Sequence, residues 1–502
     1  MKNEEKNGIA DNEVDKVDSN PFIVLVDEYL STENMWTRLA TSPRDGIVIA
    51  SLDKQARLDM LDRLQEEFFE PTSISVDIAT RILRLIRKGY INRDPTKPKV
   101  RQLTMKIAEH VGSKQCTLPW FATYAKGMTV VGITGLGKSY EVERALQLVP
   151  QCIEHGPSIE AGWIRMKQVT WLKVGMSHDG SLGGLLLQIL CALDDAVGTD
   201  YSQDKALIKL SNEKLAVRIF VIFRNHGLGV LVIDEIQEKN FDGHGRGELA
   251  ATFFLRLLNI GIPVVLIGNP YGFEALYKLS QDVRRVGSGG TITMHPHQQD
   301  DFDWDKCLLP ALLKQNLMSE QSPITLPKEL IYKYSGGIRE YGCRIVVATQ
   351  RLAIDLGDSY ITEDHMEQAY LGSDFSDKDR SIIEGFRDKD PRLLVGFEDI
   401  PWESYASKWG LFEDKKSSSD SGNNQVNDGT SSGEDFHEAQ PIKDSVRPVY
   451  KKDLQTDKRN RTKEENNKTK RTKSINSLSP DDMRADGMRE FLIKGFDSLL
   501  NK

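Results

Sequence analysis

Short apolar runs alternate with longer helical repeats through the middle of the chain. The runs have the length and composition of strands buried on both faces, and they are Met128–Val131, Val230–Ile233 and Pro263–Ile267. A stretch rich in β-branched and aromatic residues, Trp163–Val174, predicts a further core strand with an interruption. Apolar residues three and four positions apart predict helices over Ser139–Leu148, Ser181–Leu193, Ala206–His226 and Ala250–Leu258. The alternation predicts an α/β fold over residues 116–300, with a parallel sheet and helices on both of its faces.

Helical repeats also precede this central region. Leu52–Leu64 and Ser75–Lys88 predict a mostly helical N-terminal region of residues 20–115. One face of Ser75–Lys88 carries four basic residues, which either contact phosphate or form a solvated face. The apolar run Phe22–Val26 is expected to dock on the body of the protein, and the polar residues 1–19 are expected to be disordered.

The C-terminal third divides by composition. Helices are predicted over Trp304–Glu320, Lys328–Ala353, Ile361–Tyr370 and Asp379–Phe386. These helices indicate a smaller helical lid domain and its extension, residues 301–412. Residues 417–442 then hold five acids without Lys or Arg, and residues 451–473 hold ten basic residues, so residues 413–479 are predicted to be a disordered linker. An amphipathic helix within residues 480–502 is expected to bind a partner.

The loop between the first predicted strand and its helix is the strongest chemical signal. It reads G-I-T-G-L-G-K-S and fits the phosphate-loop pattern G-x-x-x-x-G-K-[ST]. Its glycines allow a tight turn whose backbone N–H groups face phosphate oxygens, and Lys138 is placed to reach the β- and γ-phosphates of ATP. The Ser139 hydroxyl suits Mg²⁺, which prefers hard oxygen ligands. The flanking strand and helix argue against a chance glycine turn. The predicted nucleotide-binding residues of this loop are Gly132, Thr134, Gly135, Leu136, Gly137, Lys138, Ser139 and Tyr140.

Polar residues follow two of the predicted strands. Asp234 and Glu235 end the run Val230–Ile233, and open α/β sheets bind ligands beyond the carboxyl ends of their strands. Asp234 is expected to hold hydrated Mg²⁺, and Glu235 to orient and deprotonate the attacking water, although the pair also fits a surface turn. Asn269 ends the next strand, where it either hydrogen-bonds the water or the γ-phosphate or forms the turn before Pro270.

Three arginines are further candidates. Arg284 and Arg285 are predicted to close a helix just before the glycine-rich turn at residues 287–290. There they either reach the γ-phosphate on a neighbouring subunit or compensate the helix dipole. Arg339 follows the Ser335–Gly337 turn and opens the longest C-terminal helix.

Composition sets the outer limits. The chain has 502 residues, which predicts two or three structural units, and its 39% hydrophobic and 28% charged content is ordinary for a globular protein. The sequence has no run of 18 consecutive apolar residues, so a membrane span is not predicted. The N-terminus lacks the apolar region of a secretory signal, and a cytoplasmic location is expected. The five cysteines form no C-x-x-C pair, which disfavours a zinc site or a disulfide framework. A net charge of −8 disfavours a globally basic nucleic-acid binder.

Several motifs together resemble a known family. The segments GITGLGKS, LVIDEIQ, LIGNP and SGGIRE, in this order, resemble the AAA+ ATPases. More narrowly, the NPF opening, IRKGYINRDP at residues 86–95 and SHDGSL at residues 177–182 resemble TnsC, a regulator of DNA transposition. The resemblance covers residues 20–403. It implies a protein that uses ATP and Mg²⁺, oligomerises on double-stranded target DNA as a ring or filament, and couples a target-selection protein to transposase subunits.

The resemblance also implies residue roles. It assigns the nucleotide and magnesium roles to Lys138 and Ser139, and the acidic-strand roles to Asp234 and Glu235. It assigns the sensor-one role to Asn269 and the sensor-two role to Arg339. Arg284 and Arg285 match the finger that acts in trans, and the choice between them is open. The candidate contacts to the DNA backbone are Ser177, His178 and Ser181. The alternative for His178 is a loop histidine that binds no ligand.

Three other functions remain open from the sequence. One is a different DNA-acting AAA+ protein, either a replication initiator or a helicase loader. Another is a P-loop kinase of a small metabolite, which the helical region after the sheet disfavours. The last is a scaffold that binds nucleotide without hydrolysis, which Glu235 disfavours because hydrolysis needs a carboxylate at that place.

Overall fold

The computed structural model describes residues 20–24, 26, 30–111, 125–177, 179–241, 246–279, 281–318 and 328–411. The predicted tail at residues 1–19, the linker at 413–479, the helix at 480–502 and His178 lie outside the described residues. The first compact unit extends to Tyr405, and the second, from Ala406, is described only over residues 406–411. The predicted division into smaller domains stays a prediction.

A five-stranded sheet forms the centre of the first unit. The strands of the described residues are β1 (Gly127–Val131), β2 (Cys152–His155), β3 (Met166–Val169), β4 (Trp171–Gly175), β5 (Val230–Ile236), β6 (Val264–Gly268) and β7 (Thr291–Thr293). The sheet has the order β4-β5-β6-β1-β7 with every pairing parallel, and β2 and β3 form a separate antiparallel pair. The parallel α/β fold is therefore confirmed, and the carboxyl ends of β1, β5 and β6 lie side by side.

The predicted helical regions contain helices with changed bounds, and the helices Thr32–Leu39, Pro98–Val111 and Trp402–Lys408 were not predicted individually. The helices of the described residues are α1 (Thr32–Leu39), α2 (Lys54–Glu67), α3 (Ser73–Asn92), α4 (Pro98–Val111), α5 (Lys138–Leu146), α6 (Leu182–Val197), α7 (Lys205–Ile208), α8 (Asn212–Asn225), α9 (Arg246–Asn259), α10 (Pro270–Leu279), α11 (Leu309–Lys314), α12 (Lys328–Lys333), α13 (Arg339–Leu356), α14 (Glu363–Leu371), α15 (Asp377–Arg387) and α16 (Trp402–Lys408). A π-helical stretch, Asp303–Leu308, leads into α11. No helix in the described part of the chain is long and apolar enough to cross a membrane.

The stretch predicted as one interrupted strand is two strands with different partners. β3 pairs with β2, whereas β4 pairs with β5 in the main sheet. Between them the Thr170 N–H donates to Gln151 O at 2.9 Å. Both halves are apolar and β-branched, so periodicity alone gives no reason to separate them.

Arg284 and Arg285 do not close the preceding helix, which corrects the sequence-based prediction. α10 ends at Leu279, and the two arginines lie in a separate 3-10 helix, Gln281–Gly287. A helical repeat does not distinguish a continued α-helix from a short 3-10 helix that follows it. Dipole compensation of α10 is therefore not their role.

The N-terminal NPF segment docks on the body, as expected. Phe22 is 5% exposed, and its ring stacks on Trp163 with centroids 5.7 Å apart. Asn20 Nδ2 donates to Tyr90 O at 3.0 Å, and Gln168 Nε2 donates to Phe22 O at 3.0 Å. Buried side-chain amides therefore fix the backbone of this segment against α3 and β3.

Candidate nucleotide-binding site

The phosphate loop has the geometry that its motif requires. β1 ends at Val131 and α5 begins at Lys138, so the loop joins a buried strand to a helix N-terminus. Gly137 caps α5 with a φ of 84°, a left-handed conformation that favours glycine. The N–H groups at this helix end, together with the helix dipole, form an anion-binding cradle.

A cavity of about 460 Å³ opens beside this loop, which is enough for a nucleotide-sized ligand. The predicted site residues that line it are Thr134, Gly135, Gly137, Lys138, Ser139, Tyr140, Asp234, Glu235, Asn269 and Arg339. Gly132 and Leu136 do not line it, and Leu136 is buried, so these two residues shape the loop from behind. The structure thus brings the three predicted strand ends and one lid residue together at one cavity.

Lys138 is held inside this cavity among opposite charges. Its Nζ donates to Ile133 O at 2.7 Å. Burial lowers the pKa of Lys138, while the negative charges of Asp399 and Asp234 oppose that change. An ammonium poised in this way is suited to bind phosphate oxygens.

Asp399 is a site residue that the sequence did not indicate. Its carboxylate Oδ2 accepts the Thr134 N–H at 2.7 Å, within the phosphate loop itself. Asp399 lies 265 residues later in the chain, in the largely apolar stretch of residues 393–402, where no motif or repeat marks it. A negative group of this chain therefore lies at a backbone donor that the motif dedicates to phosphate.

The acidic pair lies at an irregularity of the sheet. The register between β5 and β6 shifts between Ile233 and Ile236, and Glu235 has a φ of 62°. Bulges and left-handed non-glycine residues re-aim side chains and are common at functional sites. Here the irregularity places Asp234 and Glu235, which are consecutive, at the same cavity.

Asp234 has a cationic partner from the neighbouring strand. Lys173 Nζ lies 3.0 Å from Asp234 Oδ2 and 2.5 Å from Glu143 Oε1. Burial alone would lower the pKa of Lys173, but the hydrogen bond to Glu143 and the charge of Asp234 outweigh it and raise that pKa. Lys173 therefore stays charged, and its ammonium compensates the negative charge of Asp234 through their 3.0 Å ion pair.

Asn269 has a structural contact and still lines the cavity. Its Oδ1 accepts the Gly272 N–H at 2.7 Å, which caps the start of α10. This contact supports the turn interpretation. The amide Nδ2 is not used in the cap, so a role toward the γ-phosphate stays a prediction.

Arg339 joins the lid to the phosphate-loop helix. Gly337 precedes it with a φ of 74°, and an added Cβ there would lie 1.9 Å from His297 O, so only glycine fits. Arg339 Nη1 lies 2.5 Å from Glu141 Oε1 in α5, and its guanidinium lies 4.4 Å from the centre of the Phe69 ring. Burial raises the pKa of Glu141, and the Arg339 charge opposes this. The ion pair fixes Arg339 at the cavity wall.

The two candidate finger arginines differ in their surroundings. Arg284 is exposed, whereas Arg285 is half-buried and its Nη2 donates to Asn259 Oδ1 at 3.0 Å. Neither residue lines the cavity of its own chain. Only an exposed side chain is free to enter a neighbouring subunit, so the surroundings favour Arg284.

Ser177 and Ser181 have capping contacts in the described residues. Ser177 is buried, and its hydroxyl donates to Ser181 O at 2.7 Å. The Ser181 hydroxyl accepts the Gly184 N–H at 3.1 Å and caps α6. Both side chains have a structural role, and their predicted contact to DNA stays a prediction, as does that of His178.

The apolar wall of the cavity is the part that sequence reasoning missed. It comes from the C-cap of α2, from the π-helical stretch with α11, and from α13, and it includes Phe68, Trp304, Leu308, Leu312 and Cys343. Burial raises the pKa of the Cys343 thiol to about 11, so the thiol is neutral here. In the sequence these residues read as ordinary helix positions, because a face that covers a ligand has the same spacing as a face that covers a core.

Comparison with known proteins agrees with this geometry at the level of fold. Residues 122–276 match the family model of the AAA domain. No curated protein matches the chain by sequence.

Several solved structures are similar to the chain at low sequence identity. The Aeropyrum pernix ORC1 protein in complex with DNA has 13% identity over 64% of this chain and 87% of that chain, with a TM-score of 0.35. The Thermotoga maritima RuvB Holliday junction branch migration motor has 14% identity over 62% and 80%, with a TM-score of 0.29. Cdc6p from Pyrobaculum aerophilum has 13% identity over 62% and 80%, with a TM-score of 0.34. Similarity at these scores carries no argument about function.

The strand order, the phosphate loop and the family match define the class. The sheet and its loop form an AAA+ P-loop α/β fold.

Proposed function

We propose that this chain is an ATPase that uses Mg²⁺. The observation that carries this proposal is the convergence of the phosphate loop and the Asp234–Glu235 pair on one cavity of about 460 Å³. The Ser139 hydroxyl and the Asp234 carboxylate are hard oxygen donors, and this donor set fits Mg²⁺. The ion would supply positive charge that offsets the negative charge of the transferring phosphoryl group.

Each polar residue then has one task. Lys138 and the loop N–H groups bind the β- and γ-phosphates, and Glu235 orients the attacking water and accepts its proton. Glu235 has a left-handed backbone conformation and lines the cavity. Arg339 is fixed by Glu141 at the lid side of the cavity, where it stabilises the phosphate charge and links the lid to nucleotide binding.

The test is the variant Glu235→Gln. The amide still orients water but does not take its proton, so nucleotide binding should persist while turnover falls by about a hundredfold or more. Glu238→Gln is the matched control, because Glu238 is exposed, lies three residues later and does not line the cavity. Hydrolysis by the Glu235 variant at the rate of the control would move the base elsewhere.

We propose further that ATP turnover drives a switch in DNA transposition. In this proposal the chain oligomerises on double-stranded DNA and couples a target-selection protein to transposase subunits. The support is the TnsC-like segments, which are the NPF opening and residues 86–95 and 177–182. The exposed Arg284 agrees with a nucleotide site completed by a second copy of the chain.

Electron microscopy of the protein with a non-hydrolysable ATP analogue and duplex DNA tests this proposal. Rings or filaments on DNA that need the analogue support it, and binding should weaken steeply with salt because phosphates rather than bases are contacted. Strand displacement by the same assembly would favour the motor or helicase-loader alternative. ATP turnover that is indifferent to DNA but stimulated by a small metabolite would favour a kinase.

A further inference from the structure

A second cavity, of about 280 Å³, shares no lining residue with the nucleotide site. Three arginines, Arg93, Arg101 and Arg224, line it together with apolar side chains such as Met105 and Trp163. The arginines come from the end of α3, from α4 and from the end of α8. The fold therefore gathers positive charge from three separate segments into a pocket about the size of one or two amino-acid side chains.

The two inner arginines donate only to uncharged groups. Arg93 is 5% exposed, and it donates to the backbone oxygens of Gly89, Leu228 and Gly229. Arg224 donates to Thr104 Oγ1 at 2.8 Å and to two backbone oxygens. A guanidinium has five N–H groups, so each of these side chains keeps about two that its contacts do not use. Within the described part of the chain, neither guanidinium has a carboxylate at ion-pair distance.

Both inner arginines carry an energetic cost. Burial lowers the pKa of Arg93 to about 10. Burial, and then the positive charge of Arg93, lower the pKa of Arg224 to about 9. Both remain cations at neutral pH, and a buried charge beside a half-buried charge of the same sign is unfavourable unless an anion joins them.

The mouth of the cavity is apolar. Met105, in α4, is 64% exposed. The turn between β2 and β3 carries Ile159 and Ile164, which are 100% and 84% exposed, and Arg101 joins this turn to α4 by donating to Glu160 O. Single exposed apolar residues are ordinary, but Met105 lines this positively charged pocket, and the β2–β3 turn contributes Ala161 and Trp163 to its lining. This apolar lining indicates a ligand with an apolar part next to its anion.

We propose that this arginine pocket binds an acidic side chain from a peptide segment of a partner protein. The carboxylate enters between Arg93 and Arg224 and accepts their unused N–H groups in bidentate fashion. An apolar residue beside it in the peptide packs on Met105 and the β2–β3 turn. A DNA duplex fits less well, because its phosphates lie on a convex surface and do not reach guanidiniums buried this deeply. The pocket acts independently of ATP hydrolysis.

Selection from a displayed library of random short peptides tests the pocket, with the full chain as bait. We expect the selected peptides to carry Asp or Glu beside Leu, Phe or Trp. Replacement of that acid by its amide isostere should weaken binding by at least about tenfold in titration calorimetry, because the buried guanidiniums lose their counter-charge. Inorganic phosphate and duplex DNA are titrated in parallel.

Two variants connect the result to the pocket. Arg224→Met removes one cation but leaves three backbone and hydroxyl acceptors without a donor, so its folding is checked by thermal melting. Met105→Glu places an acid at an exposed position of the mouth, where it should fold normally and abolish capture of acidic peptides. Leu249→Glu is the matched control, since Leu249 is a half-exposed helical residue outside both cavities.

The outcomes are distinct. Enrichment of acidic peptides that is lost in Met105→Glu and kept in Leu249→Glu establishes the pocket. Three results would each overturn the proposal. The selected peptides could show no enrichment of acids, acidic peptides could bind the two Glu variants equally, or the pocket could bind only phosphate or duplex DNA. ATP turnover should be the same in wild type and both Glu variants.

Discussion

Removal of the Asp399 carboxylate should tighten nucleotide binding. In the structure this carboxylate accepts the Thr134 N–H at 2.7 Å, and its charge acts on Lys138. A bound triphosphate would need the same N–H and the same ammonium and would be repelled by a carboxylate beside it. The contact therefore competes with ATP, and Asp399→Ala removes both the acceptor and the charge.

The size of the effect follows from the single contact that is lost. A hydrogen bond to a charged group contributes about 1.5–3 kcal/mol, and the lower end applies here because the contact is exposed to solvent. About 1.5 kcal/mol corresponds to roughly a tenfold decrease in the Kd for ATP. Repulsion between the carboxylate and the phosphates acts in the same direction, so tenfold is the minimum expected.

Titration with a fluorescent ATP analogue measures this change directly. Glu398→Ala is the control, because Glu398 is the exposed acidic neighbour of Asp399 and has no contact with the loop in the described residues. Thermal melting of both variants checks that residues 391–405 remain folded. An Asp399→Ala Kd that equals the control, or that is higher than wild type, would refute the competition and assign Asp399 a role in holding the nucleotide.

Three further predictions follow from individual contacts. Lys138→Ala should abolish ATP binding in the same titration, because among the described residues Lys138 is the only lysine that lines the cavity. Replacement of the exposed Lys126 by Ala should leave ATP binding unchanged. Equal affinity of the two variants for ATP would contradict this prediction. Arg284→Ala should keep the melting temperature and slow ATP turnover of the assembled protein by about tenfold or more. Arg285→Ala should instead lower the melting temperature by a few degrees, because it removes the hydrogen bond to Asn259. The reverse pattern would make Arg285 the finger. Burial lowers the pKa of His226, so the unfolded chain takes up a proton first, and stability should fall as the pH drops below about 6.5. Melting of wild type and His226→Gln at neutral and mildly acidic pH measures this, and an equal loss in both would assign it to other groups.

The core strands β1, β5 and β6 were predictable because buried strands and phosphate-loop chemistry are local signals, whereas β2 and β7 were not predicted. The run Val230–Ile233 is apolar at every position, and Asp234 and Glu235 follow it directly, so the strand and its acidic end appear in one stretch of sequence. The loop from Gly132 to Ser139 is equally local. The structure places both at one cavity, as the topology of a parallel sheet requires.

Boundaries and contacts between distant segments were not predictable in the same way. The division of Trp163–Val174 into β3 and β4 depends on which strand each half pairs with, and pairing is a tertiary property. The helix predicted over Ala206–His226 divides into α7 and α8 next to the polar residues 211–214, and Ser211 is the N-cap position of α8. Periodicity reports which face is buried, and it does not report where the backbone turns.

The charges that surround the phosphate loop and the acidic pair come from distant segments, so the local sequence of these motifs does not predict the electrostatics of the site. Lys138 interacts with Asp399, Asp234 is paired with Lys173, and Arg339 is paired with Glu141. Each of these three residues thus has a partner of opposite charge from another segment, and such a partner offsets part of the cost of placing a charge at a partly buried cavity. A nucleotide and its metal bring charges of both signs to the same place, and they must replace or share these internal pairs. The affinity of the site is therefore set as much by residues outside the motif, such as Asp399 and Lys173, as by the phosphate loop itself.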